Sequence, residues 1–534
     1  MLVFEIVVAL LLAGAGLTAL SRRIGAPWPA MLALAGAGLA LVPGTPTLVL
    51  DPELALTLFV APVLLDSAFD ASQRDIRANW RPVAGLAVGA VAWTIVVVAW
   101  VARLLVPEMS LPVALALGAI VAPPDAAAAT AVLNQLRPPY RLLVILEGES
   151  LFNDASALLI YRVALRAALA GSLSLAGALP QLFVVTLGSV VLGLALSWLI
   201  TRLLARIGDV AIVVVVQFCG TFGVWMLAER LRLSGVLTMV VFAMAAARQA
   251  ASRTPARVRI PSYAVWEFAV YVLNVLAFIL VGFQLKAILA RVDAPTLHRY
   301  AGFATAVCAA TILARFAWVS AAAAWSRWRC RPTDDRPPSR RDAVALSSRA
   351  AIVVGWCGMR GVVTLAAALA LPTADFPHRD LVVFTAFAVV LVTLVLQGMT
   401  LRPLMLLLRL EPDRSVEREV RVARVETLRA ALAATAEMQG EEMAGLLRRR
   451  YEVMLDRAQA QLAGIDAERE LPAPDRRAFC VDAKVVRVAT AAERRRLLAL
   501  RADGTIGDTA FQRIEQELDL EELDLQQLAP DVGA

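Results

Sequence analysis

Residues 145–163 read ILEGESLFNDASALLIYRV, a run in which Glu147, Glu149, Ser150, Asn153 and Asp154 stand among aliphatic and small residues. An unpaired carboxylate at the centre of a lipid-embedded helix costs about 2.5–3.5 kcal/mol on insertion scales, so the run needs something that offsets it. Glu149 and Asn153 are four residues apart, as are Ser150 and Asp154. On a helix these pairs make two neighbouring stripes on one polar side, and that side must face protein rather than lipid.

The surrounding sequence supplies the lipid. Of 534 residues, 59% are hydrophobic and 18% charged, and the chain repeats apolar runs of about 20 residues, the length that spans a bilayer core. The expected fold is an all-α polytopic membrane protein. Of the 45 acidic residues, 25 fall within 410–534, which leaves 20 for the first 409 positions. A transmembrane domain is therefore expected over 1–409 and a cytoplasmic, helical, Arg/Glu-rich C-terminal domain over 410–534, with a regulatory or dimer-stabilising role open to it.

Apolar runs bounded by charge or Pro/Gly clusters predict about thirteen spans, the first at 2–20 and the last at 380–408. The opening MLVFEIVVALLLAGAGLTALSRR has its basic residues after the apolar run, not before it, so it reads as a first span with the N-terminus outside and not as a signal peptide. Arginine concentrates in the loops after odd-numbered spans, which places those loops and the C-terminus in the cytoplasm. This bias explains the sequence pI of about 9.5 without nucleic acid. Five scattered cysteines, no CxxC pair and two histidines argue against disulfides and zinc.

Thirteen spans suggest two inverted six-span repeats, about 1–168 and 210–408, joined by a seventh. In that scheme both fifth spans are interrupted. GAIVAPPDAAAA carries Pro123 and Pro124, and GWCGMRGVVTL carries Gly355, Gly358 and Gly361 around Arg360. Broken helices at membrane depth occur only where protein or a water-filled cavity satisfies the freed backbone groups. Counting from the span ends puts Asp66, Asp125, Asp154 and Arg360 near mid-depth. Arg360 can then neutralise a carboxylate, while freed carbonyls beside Pro124 and the Ser150 hydroxyl can coordinate a hard cation. A Glu149–Arg360 pair reads as a structural tie between helices, Asn153 as the amide that orients its neighbours, and Asp154 as a transport carboxylate. Asp66, with Asp70 one turn on, lines either the site or a cytoplasmic funnel. An intramembrane aspartyl protease is disfavoured because neither Asp125 nor Asp154 lies in a Gly-x-Gly-Asp stretch. A passive cation channel needs no titrating group at its site.

LEGESLFNDASALLIYR, GAIVAPPDAAAATAVL and GMRGVVTLAAALALP, with APVLLDSAFDASQRDIRANWRP and VWEFAVYVLNVLAFILVGFQL, together resemble the bacterial sodium/proton antiporters of the monovalent cation:proton antiporter family type 1, relatives of the eukaryotic sodium/hydrogen exchangers. The likeness covers about residues 1–408. It implies a thirteen-span homodimer in the bacterial cytoplasmic membrane, with two crossed unwound helices in each protomer and no resident cofactor. It also implies electroneutral Na+/H+ exchange by alternating access, with K+(Na+)/H+ exchange as the alternative. By the same resemblance, cation and proton compete for Asp154, with Asp125, Ser150, Asp66 and Pro124 as further cation ligands and Asn153, Glu149 and Arg360 as supports. Where the family usually reads Thr-Asp-Pro, this chain reads Pro124-Asp125-Ala126, and Asp66 stands where many relatives carry Glu.

Overall fold

The structure, a computed structural model, describes residues 2–42, 52–133, 136, 138–170, 175–254, 256–289, 293–329, 347–372, 376–410, 415–436, 442–466, 492, 493, 495–497, 499, 500 and 514. The basic stretch 330–346 and most of the tail beyond 466 lie outside the described residues. Among the described residues every regular element is a helix. Seven helices among the described residues are long and apolar enough to cross a membrane: Glu5–Ile24, Trp80–Leu105, Pro180–Leu204, Val210–Arg230, Val258–Gln284, Pro295–Trp328 and Arg379–Leu408. Three shorter apolar helices, Trp28–Leu41, Leu111–Val121 and Gly235–Ala250, accompany them. The opening stretch lies on one 31-residue helix, Tyr140–Ala170, termed the carboxylate helix below.

Two helices are broken, and sequence chemistry accounts for both breaks. The first broken helix runs Leu111–Val121 and resumes as Ala126–Leu133. Pro123 and Pro124 fill the gap, where neither ring nitrogen can donate to the helical ladder. The second runs Ser348–Trp356 and resumes as Val362–Leu369, the gap spanning Cys357–Gly361. Such gaps leave carbonyls and amides that must find partners elsewhere, and those partners build the site.

Around the breaks, packing depends on small residues, as expected where lipid supplies no hydrophobic drive between helices. The Trp28–Leu41 helix crosses the Ala256–Leu289 helix so closely that a Cβ on Gly36 would lie 2.2 Å from the Ile279 carbonyl oxygen. At the same crossing, a Cβ on Gly282 would lie 2.3 Å from the Ala37 nitrogen. Trp28 then meets Phe278 edge-on, with ring centroids 5.7 Å apart.

The chain divides into two compact units, Met1–Asp413 and Arg414–Ala534. In the second, Ser415–Ala436 and Glu442–Asp466 run antiparallel. Val425, Leu428 and Ala458 form their apolar seam, and Arg421 donates to the Gln461 carbonyl at 2.7 Å. Their charged faces explain why this pair is helical yet far less apolar than the first unit.

Candidate cation site

The two breaks meet at one point. The Asp125 amide donates to the Met359 carbonyl at 2.7 Å, joining one gap to the other. Gly361 is required there, because a Cβ would fall 1.6 Å from an Asp125 carboxylate oxygen. That oxygen sits against the N-terminal end of the Val362–Leu369 helix, and Asp125 itself immediately precedes the Ala126–Leu133 helix. Negative charge is favoured at both ends.

The opposite end of the first half-helix takes a positive partner. Arg360 donates from Nε to the Val121 carbonyl at 2.8 Å and from Nη2 to the Ala122 carbonyl at 3.1 Å, and a third donor reaches the Gly358 carbonyl. Its backbone amide is taken by the Thr393 hydroxyl at 3.0 Å. A guanidinium that is 1% exposed thus satisfies the orphan carbonyls of one helix C-terminus, where the dipole favours a cation.

This arrangement corrects one expectation. Glu149 pairs with Arg315 and not with Arg360: the contact is bidentate, with Nη2–Oε2 at 2.8 Å, and the two side chains are 3% and 2% exposed. Arg315 also donates to the Val354 carbonyl at 3.2 Å, so one residue ties the Ala294–Arg329 helix to the carboxylate helix and to the second broken helix. Arg360 is already committed to carbonyls, which leaves the planar fork of Arg315 to match the carboxylate. Arg315 was legible in principle as a lone arginine inside the apolar run TILARFAWV, by the reasoning that singled out Arg360.

The stripes of the carboxylate helix divide their work. Glu149 turns to Arg315, and Asn153 donates from Nδ2 to the Pro124 carbonyl at 2.8 Å. A carbonyl can only accept, so this bond fixes the amide orientation and leaves Asn153 Oδ1 without a partner among the described residues. The other stripe, Ser150 and Asp154, faces a cavity of about 420 Å³ whose lining also includes Asp66, Asp70, Pro124, Asp125 and Glu147. All five residues expected to bind the cation therefore line one space. Along the carboxylate helix that space begins at the exposed Glu147 and ends at Asp154, which is 8% exposed. Among the described residues no cluster of His, Cys, Asp and Glu could hold a metal ion by chelation.

A family model described as "Sodium/hydrogen exchanger, transmembrane" matches residues 7–407. The chain belongs to the sodium/hydrogen exchanger family. An uncharacterized Na(+)/H(+) exchanger of Mycobacterium bovis is 31% identical to it over 98% of this chain and 97% of that relative. The uncharacterized Na(+)/H(+) exchanger YjcE of Escherichia coli is 28% identical over 88% and 89% of the two chains. In fold, the exchanger is similar to the sodium proton antiporter MjNhaP1 from Methanocaldococcus jannaschii, with a TM-score of 0.58 at 18% identity, covering 77% of this chain and 99% of that one. The exchanger is a monovalent cation/proton antiporter and a multi-pass membrane protein, not an enzyme.

Proposed function

We propose that the exchanger carries out electroneutral Na+/H+ antiport, with one cation and one proton competing for Asp154. The observation that carries this reading is the cavity's lining: Asp66, Asp70 and Glu147 share it with Asp154 and with Pro124, Asp125 and Gly361 of the two helix breaks. Ionised Asp154, with the Ser150 hydroxyl and the Asp125 carboxylate, which line the same space, offers oxygen donors of the kind a hard monovalent cation takes. Protonation removes the charge that holds the cation, so the two occupants exclude each other. Asn153 occupies the neighbouring position where a second carboxylate would add a second titrating charge. With an amide and not a carboxylate at position 153, the stoichiometry proposed is one proton for one cation.

In this reading the site is presented alternately to the two faces, and the open cavity is its cytoplasmic route. Support for the orientation comes from the basic residues Arg74, Arg77 and Arg81, which follow the cavity-lining Asp70 in the chain, and Arg141, which precedes Glu147. The full scheme has thirteen spans in two inverted repeats, an outside N-terminus, a homodimer and a cytoplasmic tail that tunes activity. Glu149, Arg315 and Arg360 hold the crossing rigid, and no resident cofactor takes part. Sodium is the proposed substrate, in line with the family description. A second reading, K+ as well as Na+, is favoured by Pro124, which brings a carbonyl but no hydroxyl to the unwound segment. A Bacillus pumilus relative, 29% identical over 66% of this chain, is named a sodium, potassium, lithium and rubidium/H(+) antiporter.

Purified protein in liposomes, assayed with Na+, K+ and Li+ at several pH values, tests the reading. Wild type should move protons against cation, with flux indifferent to an imposed membrane potential, and Asp154→Asn should abolish the exchange without loss of folded protein. Full exchange by Asp154→Asn would refute the site, and potential-driven flux would refute electroneutrality.

A further inference from the structure

Past Asp154 the carboxylate helix continues Ala155, Ser156, Ala157, Leu158, Leu159, Ile160 and then Tyr161. Seven residues make two turns, so Tyr161 lies on the Asp154 stripe about 10 Å further along the axis. The cavity does not reach it: Asp154 is the last residue of this helix in the lining, and Ala157, on the intervening turn, is 0% exposed. Ser156, the other hydroxyl on these turns, is committed to the Ala87 carbonyl at 2.6 Å and the Asn153 carbonyl at 2.8 Å.

Tyr161 is 6% exposed, yet its hydroxyl has no hydrogen-bond partner among the described residues. A buried phenol normally finds one, and each exception calls for a reason. Its surroundings suggest the reason. Arg162 clasps both oxygens of Glu229 at 2.7 and 2.8 Å and donates to the Leu233 carbonyl at 3.0 Å, fastening this turn to the segment after the Val210–Arg230 helix. Arg379, within electrostatic reach of the phenol, donates to the carbonyls of Leu371 and Leu369 at 2.9 and 3.3 Å. Those carbonyls lie at the far end of the Val362–Leu369 half-helix, whose near end meets Asp125. Tyr161 thus stands where the elements that build the Asp154 site close off its other side.

We propose that Tyr161 is a positioning residue for the half of the cycle in which Asp154 faces away from the cavity. Its ring seals Asp154 while that side is shut. Its hydroxyl takes a water, or the hydration shell of the arriving cation, when that side opens. This rests on the assignment of Asp154 as the exchange carboxylate. Among the described residues the buried hydroxyl is uncommitted in this closed arrangement, so it should matter only at the face that opens.

Apparent KM for Na+ is to be measured in everted and in right-side-out membrane vesicles from the same cells. Tyr161→Phe keeps the ring and removes the hydroxyl. It is expected to raise KM about fivefold, the worth of one hydrogen bond, at the face opposite the cavity, with KM at the cavity face unchanged and thermal stability not lowered. Tyr161→Ala removes the seal and should add a Na+ leak not coupled to protons. Equal KM changes at both faces, or none at either, would overturn the inference. Asp154→Asn is run alongside: retained exchange there sinks the Asp154 assignment itself, whereas a dead Asp154→Asn with a symmetrical Tyr161→Phe sinks only the role given to Tyr161.

Discussion

Replacing Arg315 by Met removes the ion-pair partner of a carboxylate that is 2% exposed, and the consequence can be sized. Breaking a buried ion pair by deleting one member costs about 3–5 kcal/mol, because the survivor stays in a low-dielectric site without compensation. Arg315 also gives up its bond to the Val354 carbonyl, which places Arg315→Met at the upper end of that range. Glu149→Gln leaves a fork of donors facing a neutral amide and should cost less. The double variant Glu149→Gln/Arg315→Met should recover about 2–3 kcal/mol of the summed losses as coupling energy. The competing pair, Glu149 with Arg360, should couple by less than about 1 kcal/mol. Arg360 is occupied by the carbonyls of Val121, Ala122 and Gly358, so its loss strands backbone oxygens at about 1–3 kcal/mol each whatever residue 149 is. Equilibrium unfolding of the detergent-solubilised protein, followed through its 11 tryptophans, gives the four free energies of each cycle. A coupling larger for Arg360 than for Arg315 would refute the assigned pairing.

Three further outcomes follow from single contacts. Gly361→Ala drives a Cβ into the Asp125 carboxylate and should eliminate transport in vesicles while protein still reaches the membrane; wild-type flux would mean that the two breaks do not cross as described. Gln397 is 0% exposed with neither amide atom partnered among the described residues, so Gln397→Leu should raise stability by about 1 kcal/mol in the same unfolding assay, where a loss would reveal a partner. Asp75, just past the Ala61–Asp70 helix, has its carboxyl held below the usual range: burial pushes it up, but hydrogen bonds from Ser72, Tyr140 and Arg74 and the charge of Arg74 outweigh burial. Because the folded value is the lower one, its contribution is present above the unfolded carboxylate range near pH 4 and is lost as pH falls through the folded value. Asp75→Asn should therefore lower the melting temperature at pH 6 but leave it close to wild type at the acid end of the scan, and a constant difference across pH would contradict this.

Much of the site is legible in the sequence because each of its parts is an anomaly in lipid. A carboxylate inside an apolar run, two adjacent prolines at mid-span and an arginine between glycines all carry costs that only a protein interior can offset, and these costs locate Asp154, Pro124, Asp125 and Arg360 before any coordinates. Helical spacing further separates the stripe of Ser150 and Asp154 from that of Glu149 and Asn153. Pairing is a different matter, since two buried arginines, Arg315 and Arg360, can each satisfy one acid in sequence terms. The choice depends on which guanidinium is claimed by freed carbonyls, and that is a property of the crossing alone. The same limit hides Tyr161: a tyrosine at the end of a polar stripe looks like any interfacial aromatic until its hydroxyl is seen to be buried and unmatched. Glycine contacts such as Gly36 with Ile279 are likewise set by the approach of distant helices, which no local pattern encodes.

Competition at one carboxylate is tested most directly by the pH dependence of the apparent KM for Na+ in reconstituted liposomes, with pH kept equal on both sides. On the acid side of the site's titration, KM should rise about tenfold per pH unit while the maximal rate holds, because each proton bound displaces one cation. A KM that stays level while the maximal rate falls would mean that cation and proton occupy different groups, and the account centred on Asp154 would be wrong.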